Sequence, residues 1–165
     1  MNALTTFRTL ALAALLLTGA VACKKDQEGS SPTPDNSPAF VGKKWKMVSF
    51  TLDNPIDFDG DGKLDSDLTA FLDECHKDDS VVFEADGKVM GDNGQQRCEA
   101  DEQAVEQTNT WSFDAAKQVL SLNDVKSPGN LSQWRVLIND GKTLKASVEV
   151  KEDGVAMKAT LTLKN

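Results

Sequence analysis

The sequence predicts an all-β domain over residues 40–165, eight antiparallel strands arranged as an up-and-down barrel or a sandwich, with one short helix. Three observations carry that prediction. Apolar residues recur with period two along most of the span, the pattern of strands with one buried and one wet face. Short turns containing Asp and Gly separate the alternating runs, as hairpins require. A single stretch, 67–74, carries helical spacing instead.

The elements follow in order. Residues 43–52 alternate, with Val48, Phe50 and Leu52 on one face and Trp45, Met47, Ser49 and Thr51 on the other. The helix is expected at 67–74, with Asp65 or Ser66 as its N-cap and Leu68, Phe71 and Leu72 turned inward. Strands at 80–85 and 88–91 flank Asp86-Gly87, and strands at 108–113 and 118–122 flank Asp114-Ala115-Ala116-Lys117. Strands at 132–139 and 142–150 flank Asp140-Gly141. The last pair is the clearest. Leu144, Ala146, Val148 and Val150 alternate with Lys145, Ser147, Glu149 and Lys151. After the Glu152-Asp153-Gly154 turn, Val155, Met157, Ala159, Leu161 and Leu163 take the apolar positions. Strands of this kind fit a closed barrel or a sandwich; closure has the merit of removing the free edges that invite aggregation.

Composition narrows the function. The 165 residues hold 26 Asp plus Glu against 18 Lys plus Arg, a formal net charge of −8. A nucleic-acid partner is not expected, because phosphate binding needs a basic face that displaces counterions. One His and no Tyr remove most His-based catalysis and any multi-His zinc site. No Gly-x-Ser-x-Gly, His-Glu-x-x-His or phosphate-binding Gly loop occurs. A glycosidase-like carboxylate pair can always be imagined among 26 acids, so it carries no weight. The chain is read as non-catalytic, and His76 beside Cys75 is given no catalytic role.

Residues 1–22 read as a signal peptide: Arg8, then the apolar run Leu10–Leu17, then small residues. The run is shorter than the roughly 20 apolar residues of a bilayer span. Ala20-Val21-Ala22-Cys23 resembles a bacterial lipobox, which implies cleavage before Cys23 and its lipidation. Each buried acyl CH₂ contributes about 0.8 kcal/mol to such an anchor. Residues 24–39, with Pro32, Pro34 and Pro38, have almost nothing to bury; they form a flexible tether reaching on the order of 50 Å at about 3.3 Å per residue. Asp26 and Glu28 after Lys24-Lys25 resemble surface-export signals of Gram-negative lipoproteins. The expected location is therefore the outer membrane, lipid-anchored, at the cell surface rather than the periplasmic face.

An opening Gly42-Lys43-Lys44-Trp45-Lys46 strand, an acidic loop and a short helix are followed by Cys75-His76-Lys77-Asp78-Asp79. Val82-Phe83-Glu84-Ala85-Asp86-Gly87, then Cys98 and Thr110-Trp111-Ser112-Phe113, complete the order. This order resembles the lipocalin-like domain family of bacterial lipoproteins, which implies an eight-stranded barrel over residues 40–165.

Two constellations carry chemistry. In the run from Asp57 to Asp65, Asp57, Asp59 and Asp61 stand at positions 1, 3 and 5 of a calcium loop, with Gly62 at 6. The Lys63 carbonyl serves at position 7 and Asp65 at position 9, while Leu64 is expected to pin the loop to the core. Position 12 falls on Leu68, where a bidentate Glu belongs; Asp67 substitutes only if the loop bends. The Ca²⁺ affinity expected of such a set is weak, roughly 10⁻⁴ to 10⁻³ M, and a solvated Asp/Gly turn is the alternative. Cys75 and Cys98 are the two cysteines left once Cys23 is lipidated; in an exported chain they are expected to form a disulfide worth about 3 kcal/mol. Trp45, Trp111 and Trp134 fall in predicted strands and are expected to pack in the core ahead of any ligand contact. Two roles stay open: a structural or envelope-protein-binding module, or a carrier or sensor of a small apolar ligand inside the barrel. The volume of the interior decides between them.

Overall fold

A computed structural model describes residues 37–152 and 155–165. The expected signal peptide, Cys23, the expected tether up to Asn36 and the Asp153-Gly154 turn lie outside the described residues. The described residues form nine strands: β1 (Lys44–Ile56), β2 (Asp65–Asp67), β3 (Ser80–Phe83), β4 (Lys88–Asp92), β5 (Val105–Asp114), β6 (Val119–Asp124), β7 (Leu131–Asn139), β8 (Thr143–Glu152) and β9 (Val155–Lys164). From β3 onward each strand pairs antiparallel with the next, and β1 pairs with both β3 and β9. The eight strands β1 and β3–β9 thus close the predicted up-and-down barrel. The short β2, which the sequence pattern did not signal, pairs with β1 through Thr51↔Asp67 and Ile56↔Asp65.

The seam is uneven. β1 and β9 pair from Lys46↔Lys164 to Leu52↔Ala159, whereas β1 and β3 share only Lys44↔Val82 and Trp45↔Val81. Beyond Trp45 the two strands part, and the segment between β2 and β3 lies in the connection there.

One residue decides which side chains of β1 point inward. Trp45 and Leu52 are both buried, yet period-two alternation puts them on opposite faces. The register passes from Met47↔Leu163 to Ser49↔Thr162, so Val48 is an extra residue, a β-bulge that shifts the alternation by one. Val48 is accordingly 47% exposed. The expectation that Val48 shares the face of Phe50 and Leu52 is therefore corrected, and Trp45 joins them in the core. Similar register shifts occur between Val89 and Met90 on β4 and between Val136 and Ile138 on β7.

Phe40 and Trp45 are fully buried at the start of the domain. Trp45 Nε1 donates to the Phe40 carbonyl at 2.8 Å, so the indole buries its ring without stranding its polar edge. The Phe40 ring meets Phe83, Trp111 and Phe113 edge-to-face, with centroids 5.1, 5.3 and 5.5 Å away. This aromatic cluster packs near the barrel end that carries the tight 84–87 and 114–118 turns. Leu120, Leu144, Ala146, Ala159, Leu161 and Leu163 continue the core along the strands.

The long connections gather at the opposite end. Up-and-down connectivity puts 57–64, 68–79 and 93–104 there together. The predicted helix is replaced by two 3-10 turns, Leu68–Phe71 and Glu74–His76. The N-cap is Asp67 rather than Asp65 or Ser66. Asp67 is also held in the ladder opposite Thr51, so the chain has little length in which to wind before Cys75 is tied to Cys98, and 3-10 turns fit such short connectors. Leu68, Phe71 and Leu72 are half-buried, and Leu68 packs on the core.

Candidate functional site

A pocket of about 430 Å³, partly open to solvent, lies against the core where the chain enters β3; its size is within the roughly 300–1,000 Å³ of small-molecule sites. Trp45 and Phe50 of β1, Trp134 of β7, and Leu161 and Leu163 of β9 supply apolar wall. Leu72, His76, Asp79 and Ser80 stand at the side where the chain enters β3. A larger surface cleft of about 600 Å³ is polar, with Asn130, Ser132, Gln133, Glu149 and Lys151 among its lining. The smaller pocket has the core residues Trp45, Leu161 and Leu163 in its wall.

Its wall follows from the β1 bulge. Shifting the alternation puts Trp45 on the same side as Phe50 and Leu52, and the inward positions of β9 supply Leu161 and Leu163. The tryptophans pack against the core or within it, as expected. Trp111 Nε1 donates to the Glu84 carbonyl at 2.9 Å and Trp134 Nε1 to Ser132 Oγ at 3.1 Å. Trp45 and Trp134 in addition face the cavity.

The polar rim is built from the 74–80 segment. His76 Nδ1 lies 2.9 Å from Asp79 Oδ2. That hydrogen bond holds the imidazole above its ordinary pKa, and the charges of Asp79, Asp73 and Glu102 add to it against partial desolvation. His76 Nε2 lies 3.3 Å from Cys98 Sγ. Cys98 is bonded to Cys75, with Cα atoms 5.3 Å apart, as the sequence anticipated. The bridge therefore joins the 74–76 turn to the 93–104 connection beside the cavity. Gln95 N donates to Asp78 Oδ2 at 2.7 Å and Cys98 N to Glu102 Oε2 at 3.0 Å, which holds the same loop. Lys77 is paired with Glu74. Asp78 Oδ1, Asp79 Oδ1 and Ser80 Oγ are buried without a hydrogen-bond partner among the described residues, and the β3 register sets Ser80 on the face of Val82, opposite Val81 and Phe83.

The acidic loop lies at the same end. Carboxylate oxygens of Asp57, Asp59 and Asp61 come within 4.8 Å of one another. The backbone is arranged around them: Gly62 N donates to Asp57 Oδ2 at 3.1 Å, Asp61 N to Asp59 Oδ1 at 3.1 Å, and Lys63 N to Asp61 Oδ1 at 2.8 Å. Gly62 has φ +84°, a left-handed turn that glycine enters without a Cβ penalty. Asp65 Oδ2 accepts from Phe58 N at 3.1 Å and so closes the loop. The Lys63 ammonium lies 2.7 Å from Asp61 Oδ2 and lowers the Asp61 pKa; it competes with any cation for that oxygen.

Two sequence expectations fare differently in this loop. Leu64 does not pin it, being 72% exposed; the Phe58 ring packs 4.9 Å from Phe71 instead. Asp67 is not gathered with the triad. Its Oδ1 accepts from Thr69 N at 3.0 Å, Thr69 Oγ1 at 2.7 Å and Phe50 N at 3.3 Å, and the Thr69 hydroxyl chiefly lowers its pKa. Asp67 thereby ties the end of the acidic loop to β1 and to the 3-10 turn above the cavity. Cys23 lies outside the described residues. The sequence reading named no ligand-contacting residue; the His76 and Asp79 spacing was a signal for a rim pair, while nothing marked Ser80.

The chain matches no protein-family model, and a comparison with curated proteins finds no match.

Proposed function

We propose that this chain is a non-catalytic, envelope-tethered barrel that carries or senses a small apolar ligand, related to the lipocalin-like lipoproteins. The observation that carries the reading is the cavity of about 430 Å³ with its Trp45, Phe50, Trp134, Leu161 and Leu163 wall. An apolar recess of this size is one that a small molecule can fill, and it favours the carrier role over the structural or protein-binding one.

Two further parts belong to the proposal. Lipidation of Cys23 and the 24–39 tether hold the barrel at the outer membrane, on the cell surface; the Cys75–Cys98 bridge supports an oxidising compartment. Calcium bound by Asp57, Asp59, Asp61, the Lys63 carbonyl and Asp65 stabilises the long-loop end. The converging carboxylates and their backbone hydrogen bonds support this.

The experiment for the carrier role is a titration of the protein with an apolar fluorophore such as N-phenyl-1-naphthylamine, read by energy transfer from tryptophan. Saturable binding that Leu163→Trp abolishes is expected; a protein that never enhances the probe sinks the reading. A thermal melt in EDTA and in millimolar calcium tests the metal, with a rise of a few degrees expected and its loss in Asp59→Ala. For the anchor, Cys23→Ser should move the protein from the membrane to the soluble fraction of a Gram-negative host.

A further inference from the structure

We infer that Cys75, Cys98 and His76 form a zinc site once the disulfide between the two cysteines is reduced, with Asp79 orienting the imidazole. The site is separate from the acidic loop and does not depend on a ligand in the pocket.

The geometry is already close to that of a ligand set. His76 Nε2 lies 3.3 Å from Cys98 Sγ, and one ligand atom from each of Cys75, His76 and Cys98 lies within 4.8 Å of the others. Zinc about 2.3 Å from sulfur and about 2.0 Å from nitrogen, at tetrahedral angles, needs a sulfur and a nitrogen about 3.5 Å apart. Two thiolates on one zinc stand about 3.8 Å apart, a separation open to them once the sulfur–sulfur bond is gone. Cys98 and His76 are exposed and Cys75 is half-buried, so both metal and reductant can reach the group.

The surroundings suit a metal ligand as well. His76 Nδ1 lies 2.9 Å from Asp79 Oδ2. With the ring proton on Nδ1, that nitrogen donates to the carboxylate and Nε2 turns its lone pair toward the sulfur. A ligating histidine characteristically gives its other N–H to a carboxylate in this way, which fixes tautomer and ring orientation. Asp73, Asp79 and Glu102 act on His76 as nearby negative charges and favour a dication. Cys98 N donates to Glu102 Oε2 at 3.0 Å, so the loop carrying this sulfur is held independently of the bridge. Three protein ligands leave the fourth position to water. To open the site, a dithiol reductant gives the bridge two electrons and two protons and is itself oxidised to a disulfide. Zinc then displaces the two thiol protons and binds the thiolates. In the oxidised chain neither sulfur is a thiolate, and zinc finds no such set.

The test uses the full chain with Cys23→Ser, which removes the third thiol. The protein is reduced with dithiothreitol, desalted without oxygen and given one equivalent of zinc against a chromophoric chelator; cobalt replaces zinc for absorption spectra. The reduced chain is expected to hold one metal ion and to show thiolate-to-cobalt charge transfer, and the oxidised chain to show neither. His76→Gln should weaken zinc at least about tenfold. Asp79→Asn should weaken it about tenfold while the thiolate-to-cobalt band persists, which marks a positioning residue. Failure of the reduced chain to take zinc, equal uptake by the oxidised chain or by Cys75→Ser/Cys98→Ser, or unchanged affinity in His76→Gln overturns the inference. Circular dichroism follows the fold throughout. If reduction unfolds the barrel, zinc is expected to restore its spectrum in the reduced chain and not in His76→Gln; no recovery likewise overturns the inference.

Discussion

Removing the Cys75–Cys98 bridge tests how the long-loop end is stabilised. The cysteines are 23 residues apart; in the chain-entropy model a loop of this length withholds about 3.4 kcal/mol of freedom from the unfolded chain at 25 °C. The folded state loses little else. Cys98 is exposed and Cys75 half-buried, and the Gln95–Asp78 and Cys98–Glu102 hydrogen bonds use backbone donors that serine retains. The double variant Cys75→Ser/Cys98→Ser should therefore be less stable by about 3 kcal/mol. With an m-value of about 1.7 kcal/mol/M in urea, the midpoint falls by about 2 M at unchanged fold. Equilibrium urea unfolding, followed by tryptophan fluorescence and far-ultraviolet circular dichroism, reads both quantities. A midpoint shift under about 0.5 M would refute the reasoning, because the unfolded chain would then have gained almost no freedom.

Three other perturbations follow from the packing. Phe40→Ala removes a fully buried ring from its three aromatic neighbours and should lower stability by about 3–5 kcal/mol in urea unfolding; a loss below about 1 kcal/mol would show that the aromatic cluster collapses without it. Deleting Val48 removes the bulge and forces either Trp45 or Leu52 outward, so the variant should lose its near-ultraviolet dichroism; a variant with wild-type spectra would mean that β1 slips without penalty. His76 is the single histidine, and its pKa is raised in the fold by Asp79. Its stabilising contribution is thus complete below the unfolded value of about 6.5 and fades as pH rises through the folded value. The pair is largely exposed, so the effect is below about 1 kcal/mol. The urea midpoint difference between the protein and His76→Gln should shrink as pH rises from about 5.5 to about 8.5; a difference that grows contradicts the pairing.

Much of the fold is legible because strands that bury one face must alternate. The β8–β9 hairpin pairs Leu144↔Leu163, Ala146↔Leu161 and Val148↔Ala159, all apolar positions of the alternating runs. The acidic loop is legible for another local reason: its Asp and Gly residues fold the backbone through hydrogen bonds that span few positions. The Cys75–Cys98 pairing follows once Cys23 is set aside as the expected lipidation site, since two cysteines then remain. The helix at 67–74 was misread because its spacing ignores what holds its ends, Asp67 to β1 and Cys75 to Cys98.

By itself, then, the sequence determined the all-β class, the barrel strands, their turns, the acidic loop and the disulfide, since each depends on local pattern or on pairing with few partners. Only the tertiary structure decided the bulge at Val48, the anchoring of the acidic loop by Phe58 rather than Leu64, the capping role of Asp67 and the cavity with its rim at His76, Asp79 and Ser80. These depend on register between distant strands and on the volume left when the barrel closes, and no stretch of neighbouring residues encodes either one.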